Sequence, residues 1–162
     1  ESEETYRALS FVQALRLPRD LYLDFVNRNT LYRSIVLSSE KREFLRRSRL
    51  FADGLSCATL NRLVQSAELK VYAEGETVPV PPAHVVLLRS GEGELTGRGG
   101  VQEHLVAGDH FGGYHIAIAA NVDAQVRFTG AAQAYWLSLE HTRHLPVVRW
   151  KLLETFRRRY RD

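Results

Sequence analysis

Apolar side chains recur with helical spacing through the first fifty residues. Leu9, Val12 and Leu15 form one such set, and a second begins near Pro18, a residue that suits the first turn of a helix. Residues 38–40 read Ser-Ser-Glu, and either serine is a suitable N-cap for a new helix. We therefore expect two to four short helices before residue 50.

A further amphipathic segment follows Ser56. Leu60, Leu63 and Val64 fall on one face of a helix, and Ser56 stands at the position of its N-cap. The pattern predicts a helix over residues 57–67.

In residues 69–136 the helical spacing of apolar residues gives way to short runs typical of strands. Ten of the eleven glycines lie here, between short runs of β-branched and aromatic residues at 69–72, 85–88 and 125–128. Such glycine-punctuated runs predict a compact all-β unit with many turns.

A helical stripe returns at the end of the chain. Leu145, Val148, Leu152 and Phe156 share this stripe, and arginines crowd the final turns, where cations suit the helix dipole. A second set predicted for the apolar side consists of Trp150, Leu153, and Phe156 or Tyr160.

Composition narrows the class of protein. The 162 residues are 44% hydrophobic and 25% charged, which is typical of a soluble globular domain. No run approaches the roughly 18–20 apolar residues that span a bilayer. Cys57 is the single cysteine, which excludes an internal disulfide and favours the cytoplasm. The net charge of +3 is too small to indicate a nucleic-acid partner. Because the sequence contains no Met, we expect it to be an excised fragment of a larger protein.

An ordered series of landmarks runs through residues 44–112. It consists of Phe44-Leu45, Leu50-Phe51, Leu55-Ser56, Val71-Tyr72-x-x-Gly75-Glu76, Val86-Leu87-Leu88-x-Ser90-Gly91-Glu92 and Ala107-Gly108-Asp109-x-Phe111-Gly112. The series resembles the cyclic nucleotide-binding domain family. The resemblance implies an α+β fold, a cupin-like antiparallel β-roll or jelly roll with N-terminal helices and a C-terminal lid helix. It divides the chain into a helical extension or linker, 1–43, and a cyclic nucleotide-binding-like domain, 44–162.

In that family a phosphate-binding cassette follows the Phe-Gly pair. A short helix presents backbone N–H groups to the phosphate, a Glu holds the ribose and an Arg neutralises the charge. Here Gly113 stands at the glutamate position, Val122 stands at the arginine position and Asp123 follows it. The cassette has therefore lost both anchors. Candidate pocket residues, carried over by position, are Phe111, Gly112, Gly113, Tyr114, His115, Val122, Asp123 and Arg127.

Two other features bear on this comparison. Pro79, Pro81 and Pro82 replace the family's usual hairpin, and because proline lacks an N–H, we expect a shortened β-roll edge here. Residues 6–21 also resemble the helical linker between a channel or transporter pore and its cytosolic nucleotide-binding-like domain. An ordinary helix that begins at Leu17-Pro18 and packs on the roll is the alternative.

Chemical alternatives are less well supported. His104, His110 and His115 resemble a cupin metal set, but a turn interrupts them, and we interpret them as polar surface residues. Cys57 lacks an identifiable general base, and the chain has no triad, phosphate-cradling loop or paired-carboxylate motif. We therefore expect neither catalysis nor a metal.

The leading hypothesis is a non-catalytic cytoplasmic regulatory domain without a cofactor. It would couple its flanking helices to the rest of a larger parent protein or to an oligomeric partner, and we expect no nucleic-acid partner and no membrane insertion. Tyr114 or Trp136 would occupy the space of a purine. The alternative is a sensor of a cyclic nucleotide or cyclic dinucleotide whose phosphate is held by Arg127, Arg98 or His115.

Overall fold

The structure, a computed structural model, describes most of the chain. The described residues are 7, 11, 13–14, 16–52, 55–97, 100–119, 122–141, 143 and 145–160. They divide into two compact units, 1–36 and 37–162. Leu9, Val12 and Leu15, which carry the first predicted helical set, lie outside the described residues.

Helices occupy both ends of the chain. They are α1 (Arg19–Arg28), α2 (Tyr32–Arg47), α3 (Cys57–Ser66), α4 (His115–Ile118) and α5 (Pro146–Tyr160), with a 3₁₀ turn at Leu139–His141. Among the described residues no helix is both long and apolar enough to cross a membrane. Ser56 caps α3 as predicted, because its Oγ accepts a hydrogen bond of 3.1 Å from the N–H of Thr59.

Two local predictions for the N-terminal helices are wrong. Pro18 lies just before α1, not inside its first turn. The serines at 38 and 39 lie within α2 and cap no new helix. Serine inside a helix costs less than about 0.7 kcal/mol relative to alanine, so a continuous helix tolerates both residues.

Eight strands form two four-stranded antiparallel sheets. The strands are β1 (Glu68–Tyr72), β2 (Thr77–Pro79), β3 (His84–Ser90), β4 (Gly93–Gly97), β5 (Gly100–Leu105), β6 (His110–Gly112), β7 (Ala124–Phe128) and β8 (Ala132–Ser138). One sheet has the order β1-β8-β3-β6, and the other has the order β2-β7-β4-β5. The sheets and their flanking helices confirm the predicted α+β β-roll.

The proline cluster shortens one edge of the roll, as expected. Strand β2 has three residues, lies at the edge of its sheet and ends at Pro79. The missing N–H of Pro79 therefore interrupts no central ladder. The next residue, Val80, still donates its N–H to the carbonyl of Ala124 at 2.9 Å.

Strand alternation divides the core of residues 37–162 into two clusters. In β3, Val86 and Leu88 face the space between the two sheets, where they join the inner cluster with residues such as Phe111, Val126 and Phe128. Val85 and Leu87 face the opposite way and join the helix-side cluster. Strand β3 is thus buried on both faces, and residues of α2, α3 and α5 belong to the cluster on its outer side.

Helix α5 buries its first predicted stripe, and Phe156 and Tyr160 of the second set pack against the inner cluster. Val148 and Leu152 are buried and belong to the helix-side cluster, as the first stripe predicts. Trp150 is 60% exposed, so its placement on the apolar side is wrong. Residues two apart on a helix point about 200° apart, which turns Trp150 away from the side that Val148 and Leu152 share.

Candidate functional site

The cassette begins where β6 ends in two glycines. Gly112 and Gly113 have φ of +83° and +73°, in the left-handed region that favours glycine. The N–H of Gly113 donates to the carbonyl of Pro81 at 2.9 Å, so the proline cluster helps to hold the cassette. Tyr114 and the single-turn helix α4 follow directly.

The position that corresponds to the family's glutamate points away from the roll interior. A Cβ built on Gly113 would lie 2.5 Å from Leu139 Cδ1 and 2.6 Å from Val85 Cγ2. Both of these residues belong to the buried helix-side cluster. A glutamate at position 113 would therefore enter an apolar cluster, where an unpaired carboxylate is strongly disfavoured.

Tyr114 turns the opposite way, into the inner cluster, where it is 1% exposed. Its ring centroid lies 5.9 Å from that of Phe156 and 5.6 Å from that of Tyr160, both on α5. Burial raises the pKa of the Tyr114 phenol, which stays neutral at physiological pH. Two aromatic contacts thus join the cassette to the last helix.

Arg159 of α5 is buried and joins three elements. Its Nη1 donates at 2.6 Å to the hydroxyl of Tyr114 and at 2.6 Å to the carbonyl of His110 on β6. Its Nε donates to the carboxylate of Glu103 on β5, which also accepts from Arg158 at 2.8 Å. We call Arg159, Glu103, Tyr114 and the His110 carbonyl the Arg159 cluster. It fixes α5 to the cassette and to one edge strand of each sheet.

The distal arm of the cassette carries no cation where the family has one. Val122 is half-buried and packs against the inner cluster. Asp123 is exposed and lines a surface cavity of about 350 Å³, and it is the one charged residue among the described residues of that lining. Val122 therefore offers no cation at the position aligned with the family's arginine.

Two of the three candidate substitutes for the missing arginine lie on the surface. Arg127 is exposed because it alternates with the buried Val126 and Phe128 of β7, as strand geometry predicts. His115 is exposed on α4. Arg98, the third candidate, lies outside the described residues.

The structure separates the predicted pocket residues into two groups. Phe111, Tyr114 and Val122 contact the inner cluster, whereas His115, Asp123 and Arg127 face solvent. The two glycines shape the turn between the groups. Trp136, the other aromatic predicted to fill the purine space, donates its Nε1–H to the hydroxyl of Tyr72 at 2.5 Å and lies beneath the Lys70 ammonium.

Sequence reasoning missed the Arg159 cluster. The sequence assigns the arginines at the end of α5 only to the helix C-terminus, where cations suit the dipole, and Arg157 and Arg158 are exposed there. Arg159, however, lies seven residues after Leu152 and eleven after Val148, on the same helical face. That spacing was the available signal that one of the arginines is buried.

The interpretation of the three histidines as surface residues is confirmed for His104 and His115 but is wrong for His110. His110 lies in β6 and is 7% exposed. Burial, followed by the charge of Arg159 and of three further cations, lowers the pKa of His110 to about 3, so the ring is neutral at physiological pH. Among the described residues no three His, Cys, Asp or Glu side chains are grouped as a metal site requires. Cys57 is exposed.

Comparison with solved structures identifies the fold of this chain. No family model and no curated protein matches the chain. Solved structures do match. A regulatory subunit of a cAMP-independent protein kinase A from Trypanosoma brucei, a triple mutant with cAMP in its A site, has a TM-score of 0.61 at 14% identity, covering 86% of this chain and 53% of that one.

Two further matches are similar. The corresponding regulatory subunit from Trypanosoma cruzi, bound to guanosine, has a TM-score of 0.59 at 19% identity over 87% of this chain and 50% of that one. The regulatory domain of Toxoplasma gondii protein kinase A with cAMP has a TM-score of 0.58 at 19% identity over 72% and 46%. The chain spans about half the length of these structures. It has the fold of the cyclic nucleotide-binding domains, as the sequence resemblance implied.

Proposed function

We propose that this chain is a non-catalytic regulatory domain that does not bind cyclic AMP or cyclic GMP in the usual way. It couples the positions of α5 and of the N-terminal helices to the rest of a larger parent protein or to an oligomeric partner. The observation that carries the proposal is the direction of position 113, because a side chain there would enter the helix-side cluster and could not reach a ribose between the sheets.

The phosphate end of the cassette supports the same proposal. A hydrogen bond to a charged group contributes about 1.5–3 kcal/mol, which corresponds to roughly one to two factors of ten in affinity. Val122 supplies no such bond at the position aligned with the family's arginine. Together with the missing ribose anchor, this predicts a loss of about two to four factors of ten in affinity.

The trypanosomal matches are consistent with a cassette of this kind. The Trypanosoma brucei protein is described as cAMP-independent, and one substitution in its cAMP-bound triple mutant introduces an arginine. We infer by analogy that a domain of this fold keeps a regulatory role without responding to cAMP.

Helix α5 is the best candidate for the coupling element. The Arg159 cluster fixes α5 to the cassette, to β5 and to β6, so movement of the helix would break contacts with all three. A regulatory role requires two states that differ in such contacts. A parent protein or partner that binds α5 would shift the equilibrium between them.

Isothermal titration calorimetry tests the ligand side of the proposal. The 162-residue chain is titrated with cyclic AMP, cyclic GMP and cyclic di-GMP at matched ionic strength. We expect no saturable binding at micromolar concentration. A micromolar dissociation constant for any of the three would overturn the proposal.

A gain-of-binding variant tests which position lacks the cation. Val122→Arg places a guanidinium at the position aligned with the family's arginine, and Gln65→Arg adds the same charge on an exposed position of α3, away from the cassette, as the control. We expect cyclic AMP to bind Val122→Arg at least about tenfold more tightly than Gln65→Arg. Equal affinities would show that residue 122 does not face the phosphate.

A ligand sensor with an altered phosphate site is the second candidate function. The guanosine-bound Trypanosoma cruzi structure favours it, because guanosine has no phosphate and therefore needs no cation in the cassette. Guanosine and adenosine belong in the same calorimetric panel. Saturable binding of either, with none of the cyclic nucleotides, would support this second function over the first.

A further inference from the structure

The first sheet ends in a strand whose outer edge is open. Strand β1 is terminal in the order β1-β8-β3-β6, and its five residues pair with β8 in one register without a bulge. No described segment forms backbone hydrogen bonds with the other side of β1. Its first four residues are exposed, including Leu69 at 41% and Val71 at 69%. An edge of this kind is a template for another strand.

The other three sheet edges are protected. Strand β2 has three residues and ends at Pro79. Strand β6 has three buried residues, and the carbonyl of His110 accepts a hydrogen bond from Arg159. On β5, Glu103 binds two arginines of α5, and the register with β4 shifts along the strand. Short strands, prolines, bulges and covering side chains are the usual devices against edge pairing, and β1 has none of them apart from its charged side chains.

Two opposite charges lie two residues apart on β1. Glu68 and Lys70 share one face of the strand, and both residues are exposed. The Lys70 ammonium lies 3.9 Å from the centroid of the Trp136 ring, and neither charge forms an ion pair within the described residues. Each charge is therefore available to a partner strand that presents the opposite sign at the facing position.

Hydrogen bonding limits how two copies of β1 can pair. In an antiparallel sheet every second residue directs its N–H and C=O to the same neighbour, so the outward groups of β1 come from alternate residues. The outward groups of two copies meet only when the two-fold axis between them passes through a residue. Three such registers pair at least three residues of β1, and their axes pass through Leu69, Lys70 or Val71.

One of these registers matches the charges. An axis at Leu69 places Glu68 of each copy opposite Lys70 of the other and brings the two Leu69 side chains together. An axis at Lys70 places two ammonium groups opposite each other, and an axis at Val71 leaves Glu68 beyond the paired residues of β1. Opposite charges directly across an antiparallel pair stabilise it, whereas like charges destabilise it.

From this open edge and its one charge-matched register, we propose that β1 pairs antiparallel with β1 of a second copy of this chain, about a two-fold axis at Leu69. The first sheets of the two copies then form one continuous sheet, and the contact closes after two copies because the same surface serves both. A single strand edge is smaller than a standard interface, so we expect a dissociation constant of about 0.05–1 mM. Because β1 belongs neither to the cassette nor to α5, this proposal is independent of the function proposed above.

Sedimentation equilibrium tests the association. The 162-residue chain is measured at concentrations from about 10 μM to about 1 mM, which bracket the expected dissociation constant. We expect the average mass to rise with concentration from that of a monomer towards that of a dimer. A mass that stays at the monomer value throughout would overturn the proposal, whatever the cyclic nucleotides do in the cassette.

Charge reversal tests the register. Lys70→Glu and Glu68→Lys each place like charges across the axis, so we expect either variant to raise the dissociation constant at least about tenfold. The double variant Glu68→Lys/Lys70→Glu restores opposite charges and should return the dissociation constant to within about threefold of the original. It also lacks the contact of Lys70 with Trp136, so recovery cannot come from that contact. Absence of recovery would contradict the register.

Disulfide cross-linking locates the axis. The test uses a Cys57→Ser background, because Cys57 is exposed. Facing residues of an antiparallel pair have Cα atoms about 4.5–5.5 Å apart, within the range that a disulfide spans. With oxidised glutathione as the oxidant, we expect Leu69→Cys to form covalent dimers at least about tenfold faster than Val71→Cys, although Val71 is the more exposed position. Equal rates, or a faster rate for Val71→Cys, would overturn the assignment of the axis to Leu69.

Discussion

At the scale of single residues, Gly113 combines two requirements that no other residue type meets together. Its φ of +73° favours glycine, and its missing Cβ leaves room for Leu139 and Val85. Gly75 shares the positive φ, at +80°, but has no heavy atom within 4 Å of a built Cβ. Comparing a substitution at Gly113 with the same substitution at Gly75 therefore separates the cost of the backbone conformation from the cost of steric overlap.

We predict that Gly113→Ala destabilises the fold by about 2–5 kcal/mol. Of this, about 1–2 kcal/mol comes from the left-handed backbone and about 1–3 kcal/mol from overpacking. Gly75→Ala, the control, should cost about 1–2 kcal/mol because it incurs the backbone part alone. Urea unfolding at 25 °C gives both free energies, and equal values would contradict the steric argument.

His110 adds a pH dependence to stability. Its pKa is about 3 in the folded chain and about 6.5 when unfolded, so the unfolded state alone takes up the proton between these values. The fold therefore loses stability as the pH falls from about 6.5 to about 3, by up to about 1.4 kcal/mol per pH unit. Above pH 6.5 the ring is neutral in both states and contributes nothing to the slope.

We predict that His110→Gln reduces this slope and that His115→Gln, on an exposed histidine, leaves it unchanged. Carboxylates titrate over the same range in all three chains, so the difference between the curves isolates His110. Urea unfolding from pH 7 to pH 4 in a buffer without phosphate provides the measurement. Parallel curves for the native chain and His110→Gln would show that the ring is protonated in the fold.

At the scale of secondary-structure elements, the sequence predicted the strands and helices better than their burial. Ser56 and the stripe of Val148 and Leu152 are local signals, and both predictions are confirmed. The direction of Gly113 depends on how β6 enters the cassette, and the burial of Arg159 depends on Glu103, which is 56 residues away in the chain. Helical spacing from Val148 and Leu152 signals that position 159 is buried, but no local pattern identifies Glu103 as its partner or gives the direction of Gly113. The sequence alone therefore does not predict the interior contacts of the candidate site.

The Arg159 cluster gives α5 its own prediction. Arg159→Met removes the guanidinium from three acceptors, and breaking a buried ion pair costs about 3–5 kcal/mol. We expect the lower part of that range, because Glu103 keeps its bond to Arg158. Amide hydrogen exchange should accelerate in α5 and in residues 113–118, while α3 keeps its protection.

Arg157→Met is the matched control for that experiment. Arg157 is exposed on the same turn of α5, and its loss should leave the exchange of α5 unchanged. If both variants accelerate exchange equally, or if Arg159→Met accelerates none, the cluster does not fix the helix. Arg159→Lys keeps the charge but not the several donors of the guanidinium, so we expect an intermediate rate.

At the scale of the whole molecule, both apolar clusters lie within one unit of the chain. Every member of the inner and helix-side clusters falls in residues 44–160. Helix α2 contributes Phe44 and Leu45 to the helix-side cluster, and because it runs from Tyr32 to Arg47 it crosses both the unit boundary at 36/37 and the predicted domain boundary at 43/44. Fragments that begin at residue 37 or at residue 44 should differ in stability, because side chains of residues 37–43 contact the roll.

We predict that the fragment 37–162 unfolds in one cooperative transition and that the fragment 44–162 also folds but is less stable. The shorter fragment loses the bond from Lys41 Nζ to the Ala67 carbonyl, 2.7 Å, and the pair of Arg89 and Glu40, 3.3 Å. The first contributes about 1 kcal/mol and the half-exposed pair less than about 1 kcal/mol, so we expect a difference of about 1–2 kcal/mol. Thermal and urea unfolding followed by circular dichroism measure it. Equal stabilities of the two fragments would place the boundary of the folded domain at residue 44. An unfolded 37–162 fragment would show that residues 1–36 are part of the folding unit.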